Sequence, residues 1–187
     1  TIPNTVKSIG DYAFIGSELN TITFEENSQL ETIGSSAFSG CNITSIIIPN
    51  KVKSIGSNAF NNNTLLDTVT FEQHSELDSH LETIGDYAFQ RVPINTITIP
   101  KSVKSIGDFA FYASGLTSID FELDSHLETI GDYAFQRVPI NTITIPKSVK
   151  SIGYAAFNQY NFNTKLTTVH FEQPSQLETI GNNAFGY

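Results

Sequence analysis

Residues Glu76–Gly107 read ELDSHLETIGDYAFQRVPINTITIPKSVKSIG, and the same 32 letters return unchanged at Glu122–Gly153. Inside the segment lies a shorter period. The dipeptide Ile-Gly recurs with its glycine at Gly10, Gly34, Gly56, Gly85, Gly107, Gly131, Gly153 and Gly181, at intervals of 24, 22, 29, 22, 24, 22 and 28 residues. Each glycine is followed three residues later by Ala-Phe, from Ala13-Phe14 to Ala184-Phe185. Periods of this length mark a stacked repeat, in which no unit can bury its apolar face alone. The two long intervals carry extra residues, at Asn61–Thr64 with His74–Leu77 and at Asn158–Thr164. Additions are tolerated in loops, so loops are expected there.

Each unit has a segment such as Leu116, Ile119, Phe121 or Ile140, Ile143, Ile145. Alternation at its end predicts a strand with one face buried. The run Asp-Tyr-Ala-Phe-Gln, from Asp86 and again from Asp132, suits a single helical turn. The glycine before it is expected to allow a bend that a Cβ would oppose.

The pattern I-x-I-P-x-x-V-x-x-I-G-x-x-A-F resembles the BspA-like leucine-rich repeat. That resemblance spans the chain. It implies a right-handed leucine-rich-repeat solenoid, β-rich, with a parallel concave sheet and short helical turns on the outer side. Residues 1–187 then form a single domain of about eight coils. Both ends cut through a unit, at Thr1 and Tyr187, so a fragment of a longer array is expected. The family implies a microbial cell-surface or secreted protein. In many members a Cys follows Ala-Phe. Here that slot holds Cys41 once, with Ser17, Asn63, Val92, Ser114 and Val138 elsewhere, so Cys41 reads as a buried thiol.

The true period is two coils, 46 residues, and chemistry alternates with it. Strands end in Ile-Pro (Ile48-Pro49, Ile99-Pro100, Ile145-Pro146) or in Phe-Glu (Phe24-Glu25, Phe71-Glu72, Phe121-Glu122, Phe171-Glu172). A second column alternates in sign: Lys7, Glu31, Lys53, Glu82, Lys104, Glu128, Lys150, Glu178. Stacked coils about 4.8 Å apart would turn these into a ladder of ion pairs. A slip of one coil would set like charges on each other, so the alternation selects register. The duplicated segment is one such two-coil module.

The outward positions of the concave strands form two columns. The first is Thr21, Ser45, Thr68, Thr96, Ser118, Thr142 and Thr168. The second is Thr23, Ile47, Thr70, Thr98, Asp120, Thr144 and His170. Hydroxyls at strand spacing can hold a protein or glycan through many weak hydrogen bonds, although threonine is also simply a good exposed strand residue. Ile47, Asp120 and His170 break the threonine column and are expected to carry specificity. The interruptions, and sheet curvature, argue against ice binding.

Net charge is −9 with only two arginines, Arg91 and Arg137, which excludes the clustered cations that nucleic acid or anionic membrane needs. No apolar run approaches the roughly 20 residues of a membrane span, and no charged-then-apolar leader opens the chain. His80 and His126, with Asp78 and Asp124, lie in repeated loops about 10 Å apart, too far for one ion at ligand distances near 2 Å. No catalytic set stands at a non-repeated position, so neither enzyme activity, cofactor nor metal is expected. Asn42 and Asn62 open N-x-T sequences. Tyr12, Tyr87, Phe109 and Tyr133 precede Ala-Phe and are expected to form an aromatic band on the outer face. The expected function is a non-enzymatic binding or adhesion module acting through the concave sheet. The alternative is a structural spacer, or a filament subunit that associates end to end.

Overall fold

The structure, a computed structural model, describes residues 1–72, 79–159 and 165–186. The expected loop additions at His74–Leu77 and beyond Gln159, with Asp78 and Tyr187, lie outside the described residues. The chain is a parallel β-solenoid with one short strand on one edge of every coil and a longer strand on most coils at another.

Eight two-residue strands share one sheet. They are β1 (Ser8–Ile9), β2 (Thr32–Ile33), β4 (Ser54–Ile55), β6 (Thr83–Ile84), β8 (Ser105–Ile106), β10 (Thr129–Ile130), β12 (Ser151–Ile152) and β14 (Thr179–Ile180). They lie in chain order and pair in parallel, Ile upon Ile at each step. The intervening strands have four residues: β3 (Ser45–Ile48), β5 (Thr68–Phe71), β7 (Thr96–Ile99), β9 (Ser118–Phe121), β11 (Thr142–Ile145) and β13 (Thr168–Phe171). No helix among the described residues is long and apolar enough to cross a membrane.

The core is a set of columns. Phe14, Phe38, Phe60, Phe89, Phe111, Phe135, Phe157 and Phe185 form a continuous stack, with successive centroids 5.1–5.4 Å apart and planes within 14° of parallel. Near-parallel planes at that centroid distance mean offset rings, the arrangement the aromatic quadrupole favours, worth about 0.5–1.5 kcal/mol per pair beyond burial. The six rings from Phe38 to Phe157 are fully buried, as are Ile33, Ile55 and Ile84 of the edge sheet.

The charge column is in register at every step. The N–H of Glu31, Lys53, Glu82, Lys104, Glu128, Lys150 and Glu178 each donates to the carbonyl of the charged residue one coil before, at 2.8 Å. The side chains are more selective than a continuous ladder. Among the described residues Lys53 pairs with Glu31 at 2.8 Å, Lys104 with Glu82 at 3.1 Å and Lys150 with Glu128 at 3.1 Å. Each lysine reaches back to the preceding coil.

The expected short helical turns on the outer side are not formed. The residue before each Ala-Phe has a left-handed backbone: Tyr12, Ser36, Asn58, Tyr87, Phe109, Tyr133, Ala155 and Asn183 all have φ between 50° and 59°. A right-handed helical turn needs negative φ throughout. The chain instead makes successive β-turns, with Ala13 N–H on the Gly10 carbonyl and Ile15 N–H on that of Tyr12. The left-handed residue aims its own N–H at the next coil. Tyr12 donates to Ser35, Tyr87 to Asp108, Phe109 to Asp132 and Tyr133 to Tyr154, at 2.8–2.9 Å. Cross-coil bonds have replaced helical ones on the outer side.

The role expected of the Ile-Gly glycine is also corrected. Gly107 has no positive φ. A Cβ there would lie 2.3 Å from the Asp86 carboxylate and 2.7 Å from its backbone nitrogen. Close approach of coil to coil requires the glycine, and the bend sits two residues later.

Candidate functional site

The four-residue strands present the threonine columns as expected in direction. Thr23, Ile47, Thr70, Thr98, Asp120, Thr144 and His170 are all exposed, and so are Thr21, Ser45, Thr68, Thr96 and Thr142, with Ser118 and Thr168 half-buried. Register places Ile47 beside Thr70, Thr98 beside Asp120, and Thr144 beside His170. Ile47 is 60% exposed, a high value for an isoleucine flanked on its strand by buried Ile46 and Ile48.

The strands of this face run parallel, as expected, and among the described residues they hydrogen-bond in twos, β3 with β5, β7 with β9 and β11 with β13. Residues Thr21 and Thr23 lie outside any strand, since only an isolated bridge joins Phe24 to Ile2 in that coil. The cause is legible in the alternating ends. Where a Phe-Glu strand follows an Ile-Pro strand, the glutamate closes the seam twice. Its N–H donates to the isoleucine carbonyl, as Glu72 does to Ile48 at 2.8 Å and Glu122 to Ile99 at 3.1 Å. Its carboxylate accepts the N–H of the residue after proline: Asn4 to Glu25, Asn50 to Glu72, Lys101 to Glu122 and Lys147 to Glu172, at 2.8–3.1 Å. At the next seam the same position is Pro49, Pro100 or Pro146. Proline has neither an N–H to donate nor a carboxylate to reach back, and the strands part.

A shallow groove marks each parted seam. The first, about 290 Å³, is lined by Thr21, Thr23, Glu25, Ser45, Ile47 and Pro49 among others. The second, about 290 Å³, lies between Val69–Phe71 and Thr96–Thr98. The third, about 260 Å³, is lined by Ser118, Asp120, Thr142, Thr144, Pro146 and Glu172 among others. Ile47 and Asp120 thus each sit in a groove, whereas His170 stands on a closed pair.

Charge on this face has one sign. The segments 21–26, 45–49, 68–72, 96–100, 118–122, 142–146 and 168–172 hold Glu25, Glu26, Glu72, Asp120, Glu122 and Glu172 and no lysine or arginine. In the Lys/Glu column the signs alternate instead. There Lys53 holds the Glu31 carboxyl below the usual carboxylate value, first by hydrogen bond and then by charge, with Lys7 and Lys51 adding to it.

The outer aromatic band is a second stack. Tyr87 lies 4.9 Å from Phe109, and Phe109 lies 4.5 Å from Tyr133, both near parallel. Tyr133 meets Tyr154 edge-on, 5.1 Å apart at 68°. Loss of water raises the Tyr133 phenol above its usual value, and the neighbouring Tyr154 phenol adds to this with Asp132. Arg137 donates to the Tyr112 hydroxyl at 3.2 Å. Beyond this stack, Tyr133, Gln136, Tyr154, Ala155, Asn158, Asn183 and Gly186 line a hollow of about 330 Å³. The sequence carried a sign of it, for Tyr154 stands one residue ahead of the aromatic column.

Other singled-out residues do not assemble. His80 contacts the Asn50 carbonyl through Nδ1 at 3.1 Å, and Asp124 pairs with Lys147 at 3.0 Å. Among the described residues no three of His, Cys, Asp or Glu gather as metal ligands would. Cys41 is buried, its thiol donating to the Phe14 carbonyl at 3.1 Å beside the Ser17 hydroxyl. Asn42 and Asn62 are both exposed.

Comparison with known proteins agrees with this architecture. The family model for the BspA-type leucine-rich repeat region matches residues 1–81 and 82–187 in six copies. The crystal structure of the pneumococcal vaccine antigen PcpA is similar over 98% of this chain, at 29% identity and a TM-score of 0.70. A leucine-rich repeat protein from Bacteroides ovatus ATCC 8483 shares the fold over 99% of the chain, at 23% identity and a TM-score of 0.70. The match covers 47% and 57% of those two chains, so this chain spans about half their length. Comparison with curated protein sequences finds no match. With its repeats matched from end to end, the chain belongs to the BspA-type leucine-rich repeat family.

Proposed function

We propose that this repeat module is non-enzymatic and binds a protein or glycan partner through the threonine face, at the cell surface or outside the cell, in adhesion or partner contact. The observation that carries the reading is the face itself. Two columns of outward side chains, most of them exposed, run over six strands that carry carboxylates and no lysine or arginine, with a groove at every second seam. Such a surface favours a partner offering hydrogen-bond donors and positive charge. Ile47, Asp120 and His170 supply what threonines cannot: an apolar anchor, a carboxylate and an imidazole. Similarity to a vaccine antigen supports the location.

The test is a triple variant, Ile47→Thr, Asp120→Thr, His170→Thr, compared with the parent against an immobilised panel of extracellular-matrix proteins and glycans. Binding should fall at least tenfold on the ligand that the parent retains, with the thermal midpoint unchanged. Equal binding would move the site off this face.

End-to-end self-association is a second reading. It draws on the two-coil module, whose identical copies stack within one chain. Light scattering across a concentration series decides it, since a constant monomer mass removes the idea.

A further inference from the structure

After three successive coils with one outer pattern the repeat changes, and a hollow lies at the change. Three consecutive coils carry Asp-aromatic before Ala-Phe: Asp86-Tyr87, Asp108-Phe109 and Asp132-Tyr133. The next coil carries Tyr154-Ala155. The aromatic ring has moved one residue upstream, and the stacking position holds a methyl group. Ala155 keeps the left-handed backbone at φ 50°, so the path of the coil is unchanged and only the ring is missing from the stack. Tyr154 stands at 68° to Tyr133, and the Ala155 methyl in the stack position is buried. Asp86, Asp108 and Asp132 each use a carboxylate oxygen to accept the N–H of the next coil. Tyr154 cannot do this for Asn182. Tyr154-Ala155 thus gives up both the stacking ring and the carboxylate acceptor that the three coils before it share.

The lining of the hollow has a consistent chemistry. It presents two phenol rings at an angle, the carboxamides of Gln136, Asn158 and Asn183, and no carboxylate or cation. Gln136 and Asn158 already face each other, Nε2 to Oδ1 at 3.4 Å. Aromatic faces accept the C–H face of a pyranose ring. Carboxamides donate and accept together, as paired ring hydroxyls require. The absence of charge gives no purchase to an anionic or cationic group. The volume, about 330 Å³, is at the lower end for small-ligand sites.

We propose that this outer hollow is a binding site for a neutral saccharide, with Tyr154 as the stacking platform and the three carboxamides as hydroxyl readers. It stands apart from the threonine face and does not depend on it. Saturation-transfer NMR and titration of the chain with cellobiose, maltose, lactose and di-N-acetylchitobiose test it. At least one probe should show saturation of its ring protons. Tyr154→Ala should weaken that probe at least tenfold. Ala155→Tyr, which brings a ring to the stack position beside the hollow, should abolish binding while the far-UV circular dichroism stays that of the parent. Asp120→Thr with His170→Thr should leave saccharide binding unchanged. Absence of binding by all four probes overturns the proposal, as does undiminished affinity in Ala155→Tyr. Binding that survives Ala155→Tyr but is lost in the Asp120/His170 variant would place the saccharide on the threonine face instead.

Discussion

The Ile-Gly edge and the threonine face are built by the same coils, yet they stack differently. The edge is one sheet of eight strands, while the face falls into three pairs. The edge strands are only two residues long and run into the glycines, whose missing Cβ lets successive backbones meet closely. The face has longer strands and still opens at every second seam. The difference shows that strand length does not decide continuity. What decides it is whether each coil offers the N–H that the previous carbonyl needs. The edge always does so, and the face withholds it at Pro49, Pro100 and Pro146. The two-coil period is thus a hydrogen-bonding period, and the one long strand of each duplicated segment has a closed seam on one side and an open seam on the other.

The sharpest way to break this comparison is to add one methyl group to the tight edge. Gly107→Ala puts a Cβ about where the Asp86 carboxylate and the backbone of Gly85 lie. The carboxylate can swing aside, but two backbones in ladder register cannot. Overpacking of this kind costs about 1–3 kcal/mol or somewhat more, and the upper end is expected, read as a shift of the urea midpoint. Thr144→Val on the open face, a change of similar size, should stay within about 0.5 kcal/mol. Equal effects at the two positions would mean that the edge is no tighter than the face.

A second experiment runs the other way and closes an open seam. Pro146→Glu supplies an N–H opposite the Phe121 carbonyl and a carboxylate within reach of the Leu123 N–H, by the register seen for Glu72 with Ile48 and Asn50. One neutral and one charge-assisted bond are gained, and proline's restriction of the unfolded chain, about 0.4–1 kcal/mol, is lost. A net gain of about 1 kcal/mol is expected. Amide exchange at positions 146 and 123 should slow, and the groove beside Asp120 should shrink. If the substituted amide exchanges as fast as an exposed one, proline is not what parts the strands.

Much of this was readable before any coordinate, and the reason is physical. Stacking sets equivalent residues directly above one another, so any column in the sequence becomes a column in space. The Phe pile, the charge register and the exposed threonines follow from that alone. The failures lie where a residue type does not reveal its backbone. Asp-Tyr-Ala-Phe-Gln is a composition that a helical turn accepts, and nothing in Tyr87 or Phe109 announces a left-handed φ. Glycine drew the bend to itself because it tolerates one, but its missing Cβ serves packing. The Pro/Glu alternation was visible as a pattern. Its consequence needed the register, which shows that Glu72 and Pro100 occupy the same place opposite a carbonyl. The shift of Tyr154 was equally visible, but a hollow exists only once Ala155 is known to lie in line with Tyr133.

The smallest expected effect concerns the charge column, which separates register from strength. Lys53 lowers the Glu31 carboxyl in the folded chain below its ordinary value of 4.5. A group depressed on folding adds stability that is present above its unfolded value and is lost as pH falls through the folded one. The contribution should therefore be complete at pH 7, begin to fade near pH 4.5 and be gone once Glu31 is protonated. Both partners are well exposed, at 57% and 46%, so solvent screens the pair and the shift in urea midpoint for Glu31→Gln should be slight at neutral pH. It should vanish once the pH is well below the folded value, and in 1 M salt, where the screening length is about 3 Å. Glu31→Lys is the more telling substitution, because it sets three cations in line with Lys7 and Lys53. If that variant loses no more than Glu31→Gln at low salt, the alternation of sign does not select register, and the backbone bonds from Glu31 to Lys7 and from Lys53 to Glu31 hold it unaided.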